Sequence, residues 1–451
     1  MILETKKVSL GSIQPNKIIT DNKLKEKWND VDEPKDKFYI IHVLFLLVGI
    51  VHIMPFSFFI NANGYWMYKF RNLSAEITDT DSRTVLQTHF SPGISIGNTV
   101  PVLVFMLGST FYGYKIKARL RVLGSLFVFT TCFILMTAFV LINTDSWQLG
   151  FFILTMIILS FISGSNAVFE IATLAILSKF PQSYMKIYLM GQGIAGLFTA
   201  ILQILSLAIG TSTTTSALIY FVIGSLCMGF TLVLFFCSKY NTCYNFHNGK
   251  IEENTKKDLI SFAEMKYLFK VLWPCTVMYT IFMLTVQPTH TAITALVVSE
   301  DYGNGNPWND IYYVPVITFL YSDITALLGR IASNKVNKSI NGYLLNIIMF
   351  VRMIIFVPLI YFCNALPRHH FPVLLPHDWQ YIIIMGLFSF TNGYTINMVF
   401  LEVAKLKKNS SENCGWSTPK KVEDAFMVFM SCAAITGPVI TPLGIFAVEL
   451  L

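Results

Sequence analysis

Eleven apolar stretches, each about twenty to thirty residues long and almost free of charge, set the terms for this chain. They run from Ile40 to Ile60, Gly93 to Tyr114, Val122 to Ile142, Leu149 to Leu177, Ile187 to Ile209, Ala217 to Cys237, Val271 to Val298, Ile311 to Ala332, Tyr343 to Cys363, Trp379 to Leu401 and Ala425 to Val448. A hydrocarbon core about 30 Å thick takes about 20 residues of helix to cross. Inside it no water can satisfy a backbone N–H or C=O, so each stretch must close its hydrogen bonds within itself, as an α-helix. The sequence therefore predicts an all-α polytopic membrane protein with 11 transmembrane helices. Charged residues make up only 13% of the chain, against about 25% in soluble domains, so the bulk of it belongs to the membrane.

The 33 Lys and Arg are spread unevenly. Taking the segments between stretches alternately from the N-terminus, one set holds 27 of them and the other only Lys69, Arg71, Arg83 and Arg368. Basic loops stay on the cytosolic side, so the N-terminus is expected inside and, after an odd number of crossings, the C-terminus outside. Membrane orientation thus accounts for the net charge of +7, and no nucleic-acid partner is implied. The first outside loop carries Asn72-Leu-Ser74, which makes Asn72 a candidate glycan acceptor. The longest polar connection divides the chain into a cytosolic tail (1–39), a six-helix bundle (40–237), a cytosolic linker (238–270) and a five-helix bundle (271–451). A ligand site between two such bundles is expected near mid-membrane.

Four charged side chains interrupt the spans: Glu170, Asp323, Arg330 and Arg352. At a helix centre an Asp or Arg costs about 2.5–3.5 kcal/mol to insert, whereas a Leu or Ile returns only ~0.3–0.6. Such residues face a bundle interior or a wet cavity and are functional candidates by default. Asp323 and Arg330 are seven apart, two turns along one helix face. Ser163, Asn166 and Glu170 make a polar stripe on the fourth span, which a lipid-facing helix would not carry. On the fifth span, Gly191-Gln-Gly-Ile-Ala-Gly196 joins small residues suited to close helix packing with one amide, Gln192. Asn392 is a further polar residue in the tenth span, while His42, His52 and His290, in or beside spans, read as hydrogen-bonded structural histidines. No Ser/His/Asp constellation, metal-ligand spacing or Walker motif accompanies them. An enzyme, a metal site and an ATP-driven pump are therefore disfavoured, and no cofactor is expected.

The succession of short motifs resembles the equilibrative nucleoside transporter family, solute carrier 29. Met54 to Tyr65 is similar to the family's first-span Pro-Trp-Asn-Phe-Phe signature, with Phe56 for Trp and Ser57 for Asn. Arg121 to Leu126, Phe180 to Tyr184, Gly191 to Gly196, Gly329-Arg330, Arg352 with Phe356-Val-Pro358, and Ser389 to Tyr394 follow in the family's order. The resemblance implies a pseudo-symmetric, major-facilitator-like fold of six plus five helices. It implies carriage of purine and pyrimidine nucleosides, and sometimes nucleobases, by alternating access. Residue by residue, Arg330 falls on the arginine that meets the ribose hydroxyls and Glu170 on a Gln that reads the base, with Thr99 and Phe319 at lining positions.

Two departures from the family pattern bear on specificity. The family usually has Asp four residues before the arginine, whereas position 326 here is Ala and Asp323 offers its carboxylate one turn earlier. An ionised Glu170 only accepts hydrogen bonds where Gln also donates, so base preference or proton dependence is expected to differ. The expected substrate-binding set is Phe56, Ser57, Thr99, Asn166, Glu170, Gln192, Phe319, Asp323 and Arg330. Arg121 with Glu423 or Asp424 is expected to form a gate on the cytosolic side. Facilitative transport is the leading reading. A proton-coupled symporter using Glu170 is its rival, and a receptor or channel is the reading from another class. Gly64 to Asn72 is similar to the lysosome-resident branch, yet the tail lacks that branch's acidic dileucine signal. The plasma membrane is therefore expected ahead of an endosomal or lysosomal one.

Overall fold

The computed structural model describes residues 34, 36–72, 84–208, 213–249, 262–286, 289, 293–335, 342–366, 372–413, 436 and 440. Its long helices are α1 (Ile40–Asn61), α2 (Val85–Tyr112), α3 (Ala118–Leu141), α4 (Gln148–Leu177), α5 (Gln182–Ala208), α6 (Thr213–Cys237), α7 (Phe262–Val286), α8 (Val314–Lys335), α9 (Gly342–Tyr361) and α10 (Asp378–Asn413). They match the first ten predicted spans one for one. The eleventh, Ala425 to Val448, lies outside the described residues except at 436 and 440. Eight of the helices are long and apolar enough to cross a membrane, and α2 and α7 contain the shorter apolar segments Ile96–Ser109 and Leu272–Val286.

Helix ends depart from the apolar boundaries for local reasons. α2 starts at Val85, ahead of the predicted Gly93, because Thr84 and Gln87 form a capping box. The Gln87 N–H donates to Thr84 Oγ1 (3.2 Å) and the Thr84 N–H to Gln87 Oε1 (2.9 Å). α7 starts at Phe262, inside the stretch expected as linker, and is described to Val286, short of the expected Val298. The linker stretch also holds a short helix, Thr242–Gly249. α8 opens in π-helical turns through Tyr321 and becomes α-helical at Ser322, one residue before Asp323. Wide π turns gather at functional sites. Beyond α3, Lys69 Nζ donates to the carbonyls of Ile142 (2.8 Å) and Phe139 (3.4 Å), satisfying acceptors that a helix C-terminus leaves open.

α1 packs on α5, α2 on α4, and α3 on both α4 and α6. The α2–α4 pairing recurs six helices later as α8–α10. The bundles meet chiefly through α5 against α8. Lipid gives little hydrophobic force between helices, so close backbone approach does much of the holding. A Cβ on Gly49 would strike the Tyr188 carbonyl oxygen, and one on Gly191 the Leu46 carbonyl oxygen, so α1 and α5 touch backbone to backbone. Gly329 and Gly393 play the same part between α8 and α10, against Phe390 and Ala326.

Candidate functional site

The glycine contact between α1 and α5 positions the polar centre of the molecule. One turn past Gly49, the buried His52 ring places Nδ1 2.8 Å from Gln192 Nε2 and 3.0 Å from Tyr188 Oη, both on α5. Its other nitrogen, Nε2, lies 3.7 Å from Glu170 Oε2 on α4. Tyr279 of α7 also stands within electrostatic reach of Glu170. An acid, an imidazole, an amide and two phenols from four helices thus converge, although only Glu170 and Gln192 stood out in the sequence. The missed signal for His52 was a second protonatable residue buried in the same bundle as Glu170.

α8 contributes from across the bundle interface. Arg330 Nη1 donates to the Leu189 carbonyl (3.0 Å) and to Gln192 Oε1 (3.4 Å). The remaining glycines of the fifth-span motif make room for this. A Cβ on Gly193 would lie 2.9 Å from Arg330 Cδ, and one on Gly196 only 2.7 Å from Asp323 Oδ1. The motif therefore serves α1 with Gly191 and α8 with Gly193 and Gly196. Among the described residues the Asp323 carboxylate accepts no hydrogen bond. Arg330 Nε, Asn166 Oδ1 and Ser163 Oγ are likewise buried without a hydrogen-bond partner there. An unmatched buried polar group costs about 1–3 kcal/mol. Asp323 and Arg330, one pure acceptor and one donor both set against α5, are suited to a polar ligand bearing hydroxyl groups.

The other expected site residues divide into three groups. Phe56, one turn past His52 on α1, is half-buried and packed on the core, while Ser57, Thr99 and Phe319 are half-buried on α1, α2 and α8. Arg352 and Asn392 do come together, but in a framework of their own. Arg352 donates to Thr391 Oγ1 (2.9 Å), Asn392 Oδ1 (3.0 Å) and the Phe388 carbonyl (3.3 Å), tying α9 to α10. Arg121 is buried against α2, donating to Ser109 Oγ (3.2 Å), and Glu423 and Asp424 lie outside the described residues. A contact that the sequence did not suggest joins the bundles where α5 begins and α8 ends: Lys186 Nζ donates to the Asn334 carbonyl (3.0 Å). Asn397 of α10 braces the same end of α8 through Ser333 Oγ and Asn334 Oδ1.

Residues 154–264 and 248–417, together more than half of the chain, match the sequence profile of nucleoside transporters. The chain belongs to the nucleoside transporter family. Among the relatives of this family member, rat equilibrative nucleoside transporter 1 is 25% identical over 431 residues, covering 85% of this chain and 93% of that protein. Rat equilibrative nucleoside transporter 3 is 26% identical over 401 residues (83% and 84%), and human equilibrative nucleoside transporter 2 is 26% identical over 418 (81% and 90%). Among solved structures, the human organic anion transporter MFSD10 superposes with a TM-score of 0.52 at 12% identity, covering 92% of this chain and 95% of that one. The fucose:proton symporter of E. coli, a major facilitator superfamily transporter, superposes with 0.50 at 11% identity (90% and 92%). At such identities the likeness speaks for the fold alone. This nucleoside transporter family member thus has a multi-pass, major-facilitator-like architecture, as expected, and is a transporter and not an enzyme.

Proposed function

We propose that the protein carries nucleosides across a membrane by facilitated alternating access, the ligand lying between α1, α4 and α5 on one side and α8 on the other. The observation that supports this best is on α8. The Asp323 carboxylate and the Arg330 side chain both face α5, and the carboxylate and the guanidinium Nε have no hydrogen-bond partner among the described residues. Neighbouring sugar hydroxyls donate and accept at once, which suits one pure acceptor beside one pure donor. Glu170, Gln192 and Asn166 then line the base end, with Phe56 packed against the ligand. Relatives that bear the name of equilibrative nucleoside transporters agree with this substrate class. The 3.7 Å approach of Glu170 to His52 favours a second reading, proton-coupled symport through the same site.

Uptake of radiolabelled adenosine and uridine in cells lacking their own carriers is expected to saturate and to accelerate when unlabelled nucleoside waits on the far side. Uptake without saturation or trans-acceleration indicates a channel, and surface-delivered protein that moves neither substrate overturns the assignment. Lysine and arginine asymmetry supports a cytosolic N-terminus, with the plasma membrane as the proposed location. Asn72 is exposed and is the proposed glycan acceptor of the first outside loop. Asn72→Gln is accordingly expected to increase gel mobility by one glycan's mass; unchanged mobility in a glycosylating host counts against that orientation.

A further inference from the structure

We infer that His52 is the proton-carrying residue of the transport cycle, and that Arg330, from the opposite bundle, decides when it can be loaded. The inference rests on the second reading above, a carrier coupled to protons, and begins with which atoms donate. A guanidinium has no acceptor, so the Gln192 atom 3.4 Å from Arg330 Nη1 is the amide oxygen. The NH2 group is thereby turned to His52 Nδ1, 2.8 Å away, and Tyr188 Oη stands 3.0 Å from the same nitrogen. An imidazole nitrogen met by an amide NH2 carries no proton of its own. The ring is therefore neutral, with its single hydrogen on Nε2, facing Glu170 Oε2 at 3.7 Å. A proton added at Nδ1 would set N–H against NH2. By holding the Gln192 oxygen, Arg330 keeps His52 neutral from across the bundle interface.

Turning the Gln192 amide by half a turn reverses the arrangement, because Oε1 then accepts from a protonated Nδ1. That orientation aims NH2 at the guanidinium, donor against donor, so it opens only when Arg330 has left. Arg330 leaves when α5 and α8 part, or when ligand hydroxyls take up its hydrogens. A proton from cavity water then binds His52 Nδ1, and the imidazolium lies between Gln192 Oε1 and the Glu170 carboxylate. When Arg330 recaptures Oε1, the same proton departs to water on the side then open. The ionisable groups around the ring are Glu170 from α4, Tyr188 from α5, Arg330 with Asp323 beyond it from α8, and Tyr279 of α7 beside Glu170. The guanidinium repels an imidazolium and the carboxylate attracts it, so withdrawing the first leaves the second to hold the charge. Nucleoside and proton both require Arg330 to be off Gln192, so each strengthens binding of the other by the same factor.

The test is apparent adenosine affinity at pH 6 and pH 8 in proteoliposomes, with uptake under an imposed inward proton gradient. The wild type is expected to bind about tenfold tighter at pH 6 (about 1.4 kcal/mol of coupling) and to be driven by the gradient. In His52→Gln the ratio between the two pH values falls to near one, whatever the absolute rate. Gln192→Glu presents an oxygen to both neighbours and removes the block, so its ratio also falls to near one, which supplies a second reading should His52→Gln fold poorly. A wild type that transports adenosine with a ratio near one overturns the inference and leaves the carrier standing. So does a ratio that persists in His52→Gln. A correctly inserted wild type that moves no nucleoside overturns both.

Discussion

Gly191→Leu is expected to yield little or no correctly folded protein, and Gly124→Leu to be as stable as the wild type. Overpacking a core costs about 1–3 kcal/mol when neighbouring side chains can give way. At Gly191 nothing can, because the new side chain meets the Leu46 carbonyl and, at 3.1 Å, the Gly49 Cα, both backbone of α1. The whole of α1 must move, and it carries His52 away from Gln192 and Glu170. Gly124 is exposed on α3, where an added Cβ meets nothing within 4 Å. The pair of variants therefore holds the chemistry of the substitution fixed and changes only the space. Size-exclusion profiles and melting temperatures in detergent measure the outcome, and equal behaviour of the two overturns the backbone-contact account of the α1–α5 pair.

The spans were legible in the sequence because the bilayer acts on about twenty residues at a time and penalises each charge locally. Their ends were less legible, for reasons that were themselves local. Thr84 and Gln87 are polar, so an apolar scan passes over them, although their spacing is that of a capping box. Past Val286 the sequence carries several more apolar residues, which hid the helix's end at Val286. Composition reports where a helix lies in the membrane, while capping chemistry reports where it starts.

The site shows the same division. Glu170, Gln192, Asp323 and Arg330 were marked by the cost of burying them; Gln192 and Arg330 meet, Asp323 lies against Gly196 of the same α5, and Glu170 approaches His52, which Gln192 also touches. Cost alone could not separate Arg330 from Arg352. The second spends its hydrogens on Thr391, Asn392 and the Phe388 carbonyl and ties two helices together, whereas the first reaches across the bundles and keeps Nε unmatched. Partners were illegible because they are distant in the chain: His52 meets residues 136 and 140 positions away, and Lys186 meets a backbone carbonyl that any residue could supply.

Arg330→Lys is expected to lower adenosine uptake at equal surface level by about 100-fold. Hydrogen bonds to a charged group are worth about 1.5–3 kcal/mol each, and each 1.4 kcal/mol is tenfold. Lysine keeps the charge but loses the planar fork, so at least one bond to the ligand goes. Asp323→Asn costs less, about tenfold, because the amide still accepts from a hydroxyl. Lost uptake by itself does not say what Arg330 touches, and a second substrate supplies that information. If the guanidinium meets the 2′-hydroxyl, the wild type discriminates against 2′-deoxyadenosine, and Arg330→Lys loses most of that discrimination, since the deleted partner can no longer be missed. Were the discrimination to survive undiminished in the variant, the hydroxyl would be read by another residue, and Arg330 would act through the interface it spans and not through the sugar.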